Sequence, residues 1–286
     1  MRTFFYLLAH VPLPILQGLG NVVGWGLWLI PNSRRRAAYL NIELCLPEAT
    51  RAEQRRLVRR ALCSEIKTIL EMPVIWLAPE KRVLKLLRAW HGREVIDAAL
   101  AQGKGLILLT LHQGNWEGFA IPFSKDYPAT GLYKPQKGIV DALSLQGRCR
   151  FGGQMEPAVG GVGRAVVEVL NRGETVYFMP DQDPPPGRGV FAPFFGVPAH
   201  SPTLVAKLAH RTGAPVVFFY GERLSWGRGF VAHCFAAPDG IDSPDVPTAV
   251  AAMNAGLERC ARLHPDQYWW GYKRFRRRPE GEPELY

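Results

Sequence analysis

A histidine and a glutamate in the stretch 111–117, Leu-His-Gln-Gly-Asn-Trp-Glu, have the residue types and the spacing for base catalysis. If a strand ends at Leu111 and a helix begins near Asn115, a residue type that often caps helices, Glu117 lies in the first helical turn and can contact His112. An ionised Glu117, which a helix N-terminus favours, would accept the Nδ1 proton of His112. The Nε2 atom would then act as a general base on a substrate hydroxyl. The pattern predicts a reaction in which the attacking oxygen belongs to the substrate.

The His-x4-Glu spacing by itself is also compatible with an ordinary loop histidine whose hydrogen bonds are satisfied by the fold. The sequence contains no His-Glu-x-x-His zinc motif, no Gly-x-Ser-x-Gly nucleophile elbow and no Walker loop. The glycine-rich stretch 160–163 lacks the dinucleotide-binding spacing, and we interpret it as a turn before a helix at Arg164. We therefore expect no metal ion, no cofactor and no covalent intermediate on the protein.

Three segments between residues 90 and 220 repeat one pattern of a helical stretch, a glycine and a short apolar run. They are 95–102, Gly103 and 105–111; 165–172, Gly173 and 175–179; and 204–212, Gly213 and 215–220. Glycine commonly follows the last turn of a helix because it tolerates a positive φ, and uninterrupted apolar runs are typical of strands covered on both faces. The alternation predicts an α/β fold, a largely parallel central sheet flanked by helices.

The residues that follow these apolar runs are the candidates for a site, because ligands of parallel sheets bind beyond the carboxyl ends of the strands. The candidates are His112 and Glu117 after the first run, Asp181, Gln182 and Asp183 after the second, and Glu222 and Arg223 after the third. We expect those of neighbouring strands to lie close together at one edge of the sheet.

The amino-terminal segment is unusual because residues 3–33 contain no Asp, Glu, Lys or Arg. Pro12 and Pro14 interrupt the segment and no small-x-small cleavage site follows it, which argues against a cleaved signal peptide. A helix over 16–30 would be about 22 Å long, shorter than the ~30 Å hydrocarbon core of a bilayer. We predict two short helices, broken at the prolines, that dip into one leaflet or cross with a kink. A buried helical hairpin of a soluble domain is the alternative.

The basic character of the chain indicates an anionic partner or surface. Lys and Arg number 35 against 25 Asp and Glu, giving a formal charge of +10, which is compatible with nucleic acid, anionic lipid or an acidic protein. Arginines at 34–36, 51, 55, 56, 59 and 60 follow the apolar segment. They would keep the following chain on the cytoplasmic side if the segment crosses a membrane, or contact anionic headgroups if it dips. A solvated helix face is the ordinary alternative.

Five blocks of sequence occur in a characteristic order. They are Leu-His-Gln-Gly-Asn-Trp-Glu at 111–117, Arg-Cys-Arg-Phe-Gly at 148–152, Met-Pro-Asp-Gln at 179–182, Phe-Ala-Pro-Phe-Phe-Gly-Val at 191–197 and Gln-Tyr-Trp-Trp-Gly-Tyr-Lys-Arg-Phe at 267–275. Together they resemble the late acyltransferases of bacterial lipid A biosynthesis, the lauroyl and myristoyl transferases. The resemblance extends from the apolar segment to Arg-Pro-Glu-Gly at 278–281, nearly the whole chain.

The resemblance implies transfer of a fatty acyl chain from acyl carrier protein to a hydroxyl of a lipid A precursor, of the Kdo-modified lipid IVA type. The reaction would take place at the cytoplasmic face of the bacterial inner membrane, in contact with its anionic lipids. The implied organisation is a membrane-associating segment, 1–33, and an acyltransferase domain, 34–286.

The resemblance also implies roles for individual residues. His112 would be the base, Glu117 its partner, and Arg150 and Asp181 further catalytic residues. Arg150 could bind a phosphate or the phosphopantetheine arm, or stabilise the thioester oxyanion; an arginine held in a structural salt bridge is the alternative. Further residues expected to contact substrate are Asn115, Lys134, Arg148, Arg164 and Gln182.

The tail 267–286 combines aromatic residues with five cations at Lys273, Arg274 and 276–278. Such a mixture also describes a nucleic-acid surface, where aromatic rings stack on bases. We expect no nucleic acid, with the aromatic rings packed in the domain and the cations facing headgroups or carrier protein.

The sequence is also compatible with two other functions. An acyltransferase of the same build could use another lipid or glycolipid acceptor. Gln113, where the family more often has an apolar residue, is a departure that bears on acceptor or acyl-chain selectivity. A non-catalytic membrane-bound lipid-binding protein would be favoured if His112 and Glu117 pointed apart.

Overall fold

The computed structural model describes residues 2–135, 137–158 and 162–286. In these residues the helices are α1 (Arg2–His10), α2 (Leu13–Leu29), α3 (Ser33–Cys45), α4 (Arg51–Leu77), α5 (Glu80–Leu86), α6 (Arg93–Leu100), α7 (Glu117–Asp126), α8 (Ile139–Arg148), α9 (Val162–Asn171), α10 (Leu204–Thr212) and α11 (Val246–Leu263). The strands are β1 (Leu87–His91), β2 (Leu106–Leu109), β3 (Ala129–Tyr133), β4 (Gln154–Pro157), β5 (Thr175–Phe178), β6 (Gly189–Phe194), β7 (Val197–Pro202), β8 (Val216–Leu224) and β9 (Gly229–Ala236). The first glycines of the turn predicted at 160–163 lie outside the described residues.

The described strands form a seven-stranded sheet in the order β1-β9-β8-β2-β5-β3-β4, and β6 and β7 form a separate hairpin. Neighbours in the large sheet are parallel except for β8 and β9. The predicted α/β fold with a largely parallel sheet is confirmed. The three predicted glycine stops follow α6, α9 and α10 with φ values of 71° at Gly103, 77° at Gly173 and 61° at Gly213, so each ends its helix as expected.

Helices cover both faces of the sheet because its central strand is apolar on both sides. Alternate residues of a strand point to opposite faces, and the four residues of β2 are all buried. Ile107 and Leu109 pack with α9, α10 and α11, whereas Leu106 and Leu108 pack with α6 and α7. The fully apolar sequence of β2 thus follows from its position between two helical layers.

The amino-terminal segment forms two helices that break at the prolines, as predicted. α1 and α2 are bent by 114° relative to each other, and Pro12 and Pro14 flank the start of α2, where proline is tolerated. No described helix is by itself long and apolar enough to cross a bilayer, although the bent pair meets that test of length and composition together.

One face of α2 packs on the domain and the other is open. Leu13, Leu16, Gln17, Gly20 and Gly24 are buried, and α2 contacts α4 extensively. The opposite face exposes a row of apolar side chains, with relative exposures of 61% at Ile15, 46% at Leu19 and 70% at Val22. The alternative, a buried helical hairpin, therefore fits the face of α2 that packs on the domain but not the exposed opposite face.

Candidate active site

Two neighbouring parallel strands bring His112 and Asp181 to one edge of the sheet. β2 and β5 are paired in register, with Leu109 opposite Phe178, and the two polar residues follow at the carboxyl ends of these strands. This confirms the prediction that residues after the first and second apolar runs lie close together at one edge of the sheet.

Asp181 fixes the orientation of the His112 ring. The imidazole Nδ1 lies 2.9 Å from Asp181 Oδ1, and the backbone N–H of His112 donates to Oδ2 at 3.0 Å. Burial opposes ionisation of Asp181, but its electrostatic interaction with the His112 ring and these two hydrogen bonds hold the pKa of this carboxyl below its ordinary value. An ionised Asp181 requires a proton on Nδ1, which leaves Nε2 of the neutral ring as the acceptor.

Glu117 has different partners, and its predicted hydrogen bond to His112 is wrong. Its carboxylate accepts from Arg148 Nε at 2.9 and 3.2 Å and from Trp76 Nε1 at 3.2 Å. Glu117 is 2% exposed, and although burial alone would lower the pKa of Arg148, the adjacent carboxylate raises it. The pair closes a contact between α7 and the end of α8.

The path of the loop between His112 and Glu117 explains why Glu117 does not bind His112 as predicted. Gly114 has a φ of 56°, and a Cβ there would lie 1.8 Å from the carbonyl oxygen of Gly221. Gly114 N–H donates to the carbonyl of Gln267 and Asn115 N–H to that of Gly221, each at 3.0 Å. The chain is thus held against β8 instead of folding directly back from the helix onto the histidine. Any side chain at 114 would strain this path.

Gln113, the residue that departs from the usual family pattern, is fully buried. Its amide nitrogen donates to the carbonyls of Cys260 and His264 at 3.0 and 3.1 Å, at the end of α11. These contacts give Gln113 a structural role in the loop that carries His112.

Asn115 is inaccessible to a substrate, so its predicted substrate contact is not supported. Its side chain is fully buried, donates to Glu71 Oε2 at 3.0 Å and accepts from the N–H of Gly118 at 3.0 Å. The second bond is the capping contact expected of this residue, although the helix itself begins at Glu117.

Beneath the loop lies a buried ionic network, of which the sequence indicated Arg223 but not its partner Glu71. Glu71 of α4 and Arg223 of β8 are joined at 2.9 Å with side-chain exposures of 0% and 4%. Gln17 of α2 donates to Glu71 at 3.0 Å, and Arg223 donates to Ser64 Oγ at 2.6 Å and to the carbonyl of Gly114 at 2.9 Å. The network connects the amino-terminal segment to the loop that carries His112. The signal was a carboxylate and a guanidinium inside apolar sequence, which are rarely buried unless paired.

The two arginines of the 148–152 block have contacts that differ from those expected. Arg150, predicted to be catalytic, donates to the carbonyls of Ile75 and Ala78 at 3.1 and 2.6 Å, at the end of α4. None of its described contacts is to His112, Asp181 or Glu117. Arg148, predicted to bind substrate, is the arginine that reaches Glu117, and its side chain remains 22% exposed.

Gln182 and two tryptophans surround the histidine. Gln182 Nε2 lies 3.4 Å from His112 Nε2 and 3.5 Å from Nδ1, which agrees with its predicted place in the site. The Trp116 and Trp269 ring centroids lie 4.9 and 5.4 Å from that of His112. The His112 side chain keeps 18% of its surface exposed, so a hydroxyl can approach a ring that Asp181, Gln182 and the two tryptophans otherwise enclose.

Lys134 and Arg164 lie at the same edge of the sheet but farther from the histidine strand. Lys134 follows β3, Arg164 lies in the first turn of the helix after β4, and both residues are exposed. Their contact with substrate stays a prediction.

The aromatic residues of the tail pack in the domain, as expected, and several tail cations are bound to groups of the protein. Tyr268 and Trp270 are buried. Arg276 and Arg277 bind Asp183, and Arg274 donates to the carbonyl of His200 at 2.7 Å. These ion pairs tie the tail to the loop after Asp181.

Comparison with known proteins identifies the family of this chain. The family described as bacterial lipid A biosynthesis acyltransferase matches residues 2–277. The lipid A biosynthesis lauroyltransferase of Escherichia coli (strain K12) is 31% identical over 285 residues, covering 98% of this chain and 92% of the relative. The palmitoleoyltransferase of that strain is 28% identical, with coverages of 98% and 91%, and its myristoyltransferase is 25% identical, with coverages of 96% and 83%. The chain therefore belongs to the bacterial lipid A biosynthesis acyltransferases.

Proposed function

We propose that this acyltransferase moves a fatty acyl chain from acyl carrier protein to a hydroxyl of a lipid A precursor of the Kdo-modified lipid IVA type. The observation that carries the proposal is the His112–Asp181 pair at the carboxyl edge of the sheet, in a chain that matches the family over nearly its whole length. The basic surface suits both an acidic carrier protein and a phosphorylated glycolipid.

In the proposed mechanism His112 carries one proton from the acceptor to the leaving group. The acceptor hydroxyl gives its proton to Nε2 while its oxygen attacks the thioester carbonyl carbon, and the carbonyl electrons move to oxygen. The tetrahedral intermediate then re-forms the carbonyl, breaks the C–S bond, and releases the thiolate, which takes the proton from Nε2. Asp181 stabilises the imidazolium that exists between these steps. The Gln182 amide nitrogen lies 3.4 Å from Nε2, so it would donate to an oxyanion that forms beside this atom.

We infer that Glu117 and Arg148 support this chemistry by fixing where α7 and α8 meet. Arg148 and Trp76 donate hydrogen bonds to the two carboxylate oxygens of Glu117. Glu117 therefore binds these residues instead of His112. Arg148 is partly exposed, so it is available to a phosphate or a phosphopantetheine arm.

Substitution of Asp181 by asparagine is expected to lower kcat by about 10²–10⁴-fold while leaving the fold intact. An asparagine amide can donate to Nδ1, which would move the proton of the ring to Nε2 and remove the base. Acyl-transfer rates for Asp181→Asn and wild type test this expectation. Glu222→Gln is the matched control, because Glu222 also pairs with a histidine, His233, at 2.8 Å. Near wild-type turnover by Asp181→Asn would remove Asp181 from the mechanism.

We propose that residues 1–33 associate with the inner membrane and that the acyltransferase domain, 34–286, works at its cytoplasmic face. The open apolar face of α2 supports this, and so does the exposed Trp226. Trp226 is 84% exposed and has a φ of 62°, an unfavourable conformation for an aromatic residue. Its loop is fastened to α2, since Gly227 N–H donates to Gln17 Oε1 at 2.9 Å.

Trp226→Ser is expected to weaken binding to lipid vesicles by about tenfold or more, because burying a large apolar side chain contributes about 1.5–3 kcal/mol. Vesicle co-sedimentation of the full chain measures the effect. Leu263→Ser, which replaces a side chain of 52% exposure on α11, should leave binding unchanged. Equal binding by Trp226→Ser and wild type would place that loop away from the bilayer.

The proposed reaction is tested by incubating the purified protein with a lipid A precursor and acyl carrier protein thioesters of several chain lengths. We expect a mass gain of one acyl chain on the precursor. Lauroyl, myristoyl and palmitoleoyl donors are the first to try because the relatives bear those names. A folded protein that transfers no chain from any donor would argue for another lipid acceptor.

A further inference from the structure

A cavity of about 680 Å³ lies between α2, α4 and the end of β8. Four cations of α4 line it, at positions 56, 59, 60 and 67. Residues three, four and eleven positions apart share one face of a helix, so the four charges point to the same space. The catalytic mechanism uses none of them.

The positive charge of this cavity is not balanced by the protein. Asp266 is the one acidic residue among the described lining residues, and it is paired with Arg60 at 2.7 Å. Arg59 lies over the Trp25 ring, with its guanidinium carbon 4.6 Å from the ring centroid. Lys67 is half buried, and burial together with the charge of Arg223 lowers its pKa. An anion in the cavity would oppose the effects of burial and of Arg223, because its negative charge favours the protonated form of Lys67.

Close packing of α2 on α4 forms the wall of the cavity and places it beside the open apolar face. A Cβ at Gly24 would lie 2.4 Å from the Cα of Cys63, and a Cβ at Gly20 would lie 2.6 Å from Cγ of Lys67. Glycine permits this approach, so the stem of Lys67 packs on α2 while the residue lines the cavity. If the apolar face of α2 enters a bilayer, the four cations lie where lipid headgroups are.

The floor of the cavity is part of the network beneath the catalytic loop. Ser64 and Arg223 line the cavity, and Arg223 donates to the carbonyl of Gly114, two residues after His112. A group bound here would contact both the membrane segment and the support of the catalytic loop.

We propose that this cavity binds the phosphate group of a membrane lipid through Arg56, Arg59 and Lys67. The phosphate belongs either to the phosphorylated acceptor or to a bilayer phospholipid; in the first case the inference rests on the proposed function. Phosphate oxygens suit the guanidinium and ammonium donors that face this space.

The test is equilibrium binding of the full chain to three kinds of phosphatidylcholine vesicle. One contains the bisphosphorylated lipid A precursor, one contains phosphatidic acid and one has no addition. The cavity variant is Arg59→Gln with Lys67→Met, which removes two charges and keeps most of each side chain. The matched control is Arg51→Gln with Arg55→Gln, which removes two charges from the same helix outside the cavity. Circular dichroism and thermal unfolding confirm that both variants fold.

We expect wild type to bind at least one phosphate-bearing vesicle about tenfold or more tightly than the plain vesicle, the cavity variant to lose that preference and the control to keep it. The vesicle that shows the preference identifies the phosphate as that of the acceptor or of the phospholipid. Equal losses in both variants would show non-specific attraction, and no loss in either would show that the cavity does not bind phosphate; both results overturn the proposal. Because binding needs no turnover, failure of acyl transfer with retained phosphate-dependent binding would reject the reaction and leave the cavity site standing.

Discussion

His112→Ala is expected to lower kcat for acyl transfer by about 10²–10⁴-fold, the usual contribution of a positioned general base. The substitution removes the only group that the proposed mechanism uses to accept the hydroxyl proton. It should disturb the fold little, because the His112 ring lies at the edge of the sheet and its backbone N–H can still donate to Asp181. The KM for the acceptor should change less than kcat, since the ring acts on the reacting proton.

His233→Ala is the matched control for this experiment. His233 also pairs with a carboxylate, Glu222, but it lies on β9 within the sheet. We expect this control to keep at least a large part of the wild-type rate. If His112→Ala retained comparable turnover, the attacking hydroxyl would have to lose its proton to another group and the proposed base would be wrong.

Glu71→Gln is expected to destabilise the protein by about 3–5 kcal/mol, because it leaves the Arg223 guanidinium buried without a compensating charge. Typical domains are stable by only about 5–15 kcal/mol, so the effect should be large in chemical or thermal unfolding. Turnover should fall as well, since Glu71 holds Asn115 and Arg223 holds Gly114 in the loop that carries His112.

Two further variants separate the ionic contribution from simple loss of contact. Asp126→Asn breaks the exposed Arg93–Asp126 pair, whose side chains are 47% and 44% exposed, and should cost less than about 1 kcal/mol. Glu71→Met combined with Arg223→Met removes both buried charges, and its cost should be smaller than the sum of the two single substitutions. Additive costs would contradict a coupled buried pair.

The sheet could be predicted because its signals are local. A glycine after each helix and a short apolar run after each glycine are adjacent in sequence, and they mark α6–β2, α9–β5 and α10–β8. The parallel arrangement then places His112 and Asp181 at one edge of the sheet. Asp181 could therefore be predicted as part of the site although it is distant from His112 in sequence. The end of β8 was less predictable, since Glu222 and Arg223 continue the strand instead of following it.

Partners of individual side chains could not be predicted, because they depend on how distant segments pack. Glu117 lies five residues from His112 but binds Arg148, whereas Asp181, 69 residues away, binds the imidazole. The packing of the Gly114 backbone against β8 determines which carboxylate binds His112. In the sequence, this packing is marked by one glycine only. Glu71 and Arg223 are 152 residues apart, and only the fold shows that each neutralises the other.

The central claim is that Asp181 holds His112 with its proton on Nδ1, so that Nε2 is the base. Nitrogen NMR of the protein labelled with ¹⁵N-histidine, at a mildly alkaline pH where histidines are neutral, measures this directly, and His112→Ala assigns the signal. The account predicts a proton on Nδ1 and an unprotonated Nε2 in wild type, with the proton moving towards Nε2 in Asp181→Asn. A proton on Nε2 in wild type, or a spectrum unchanged by Asp181→Asn, would contradict it.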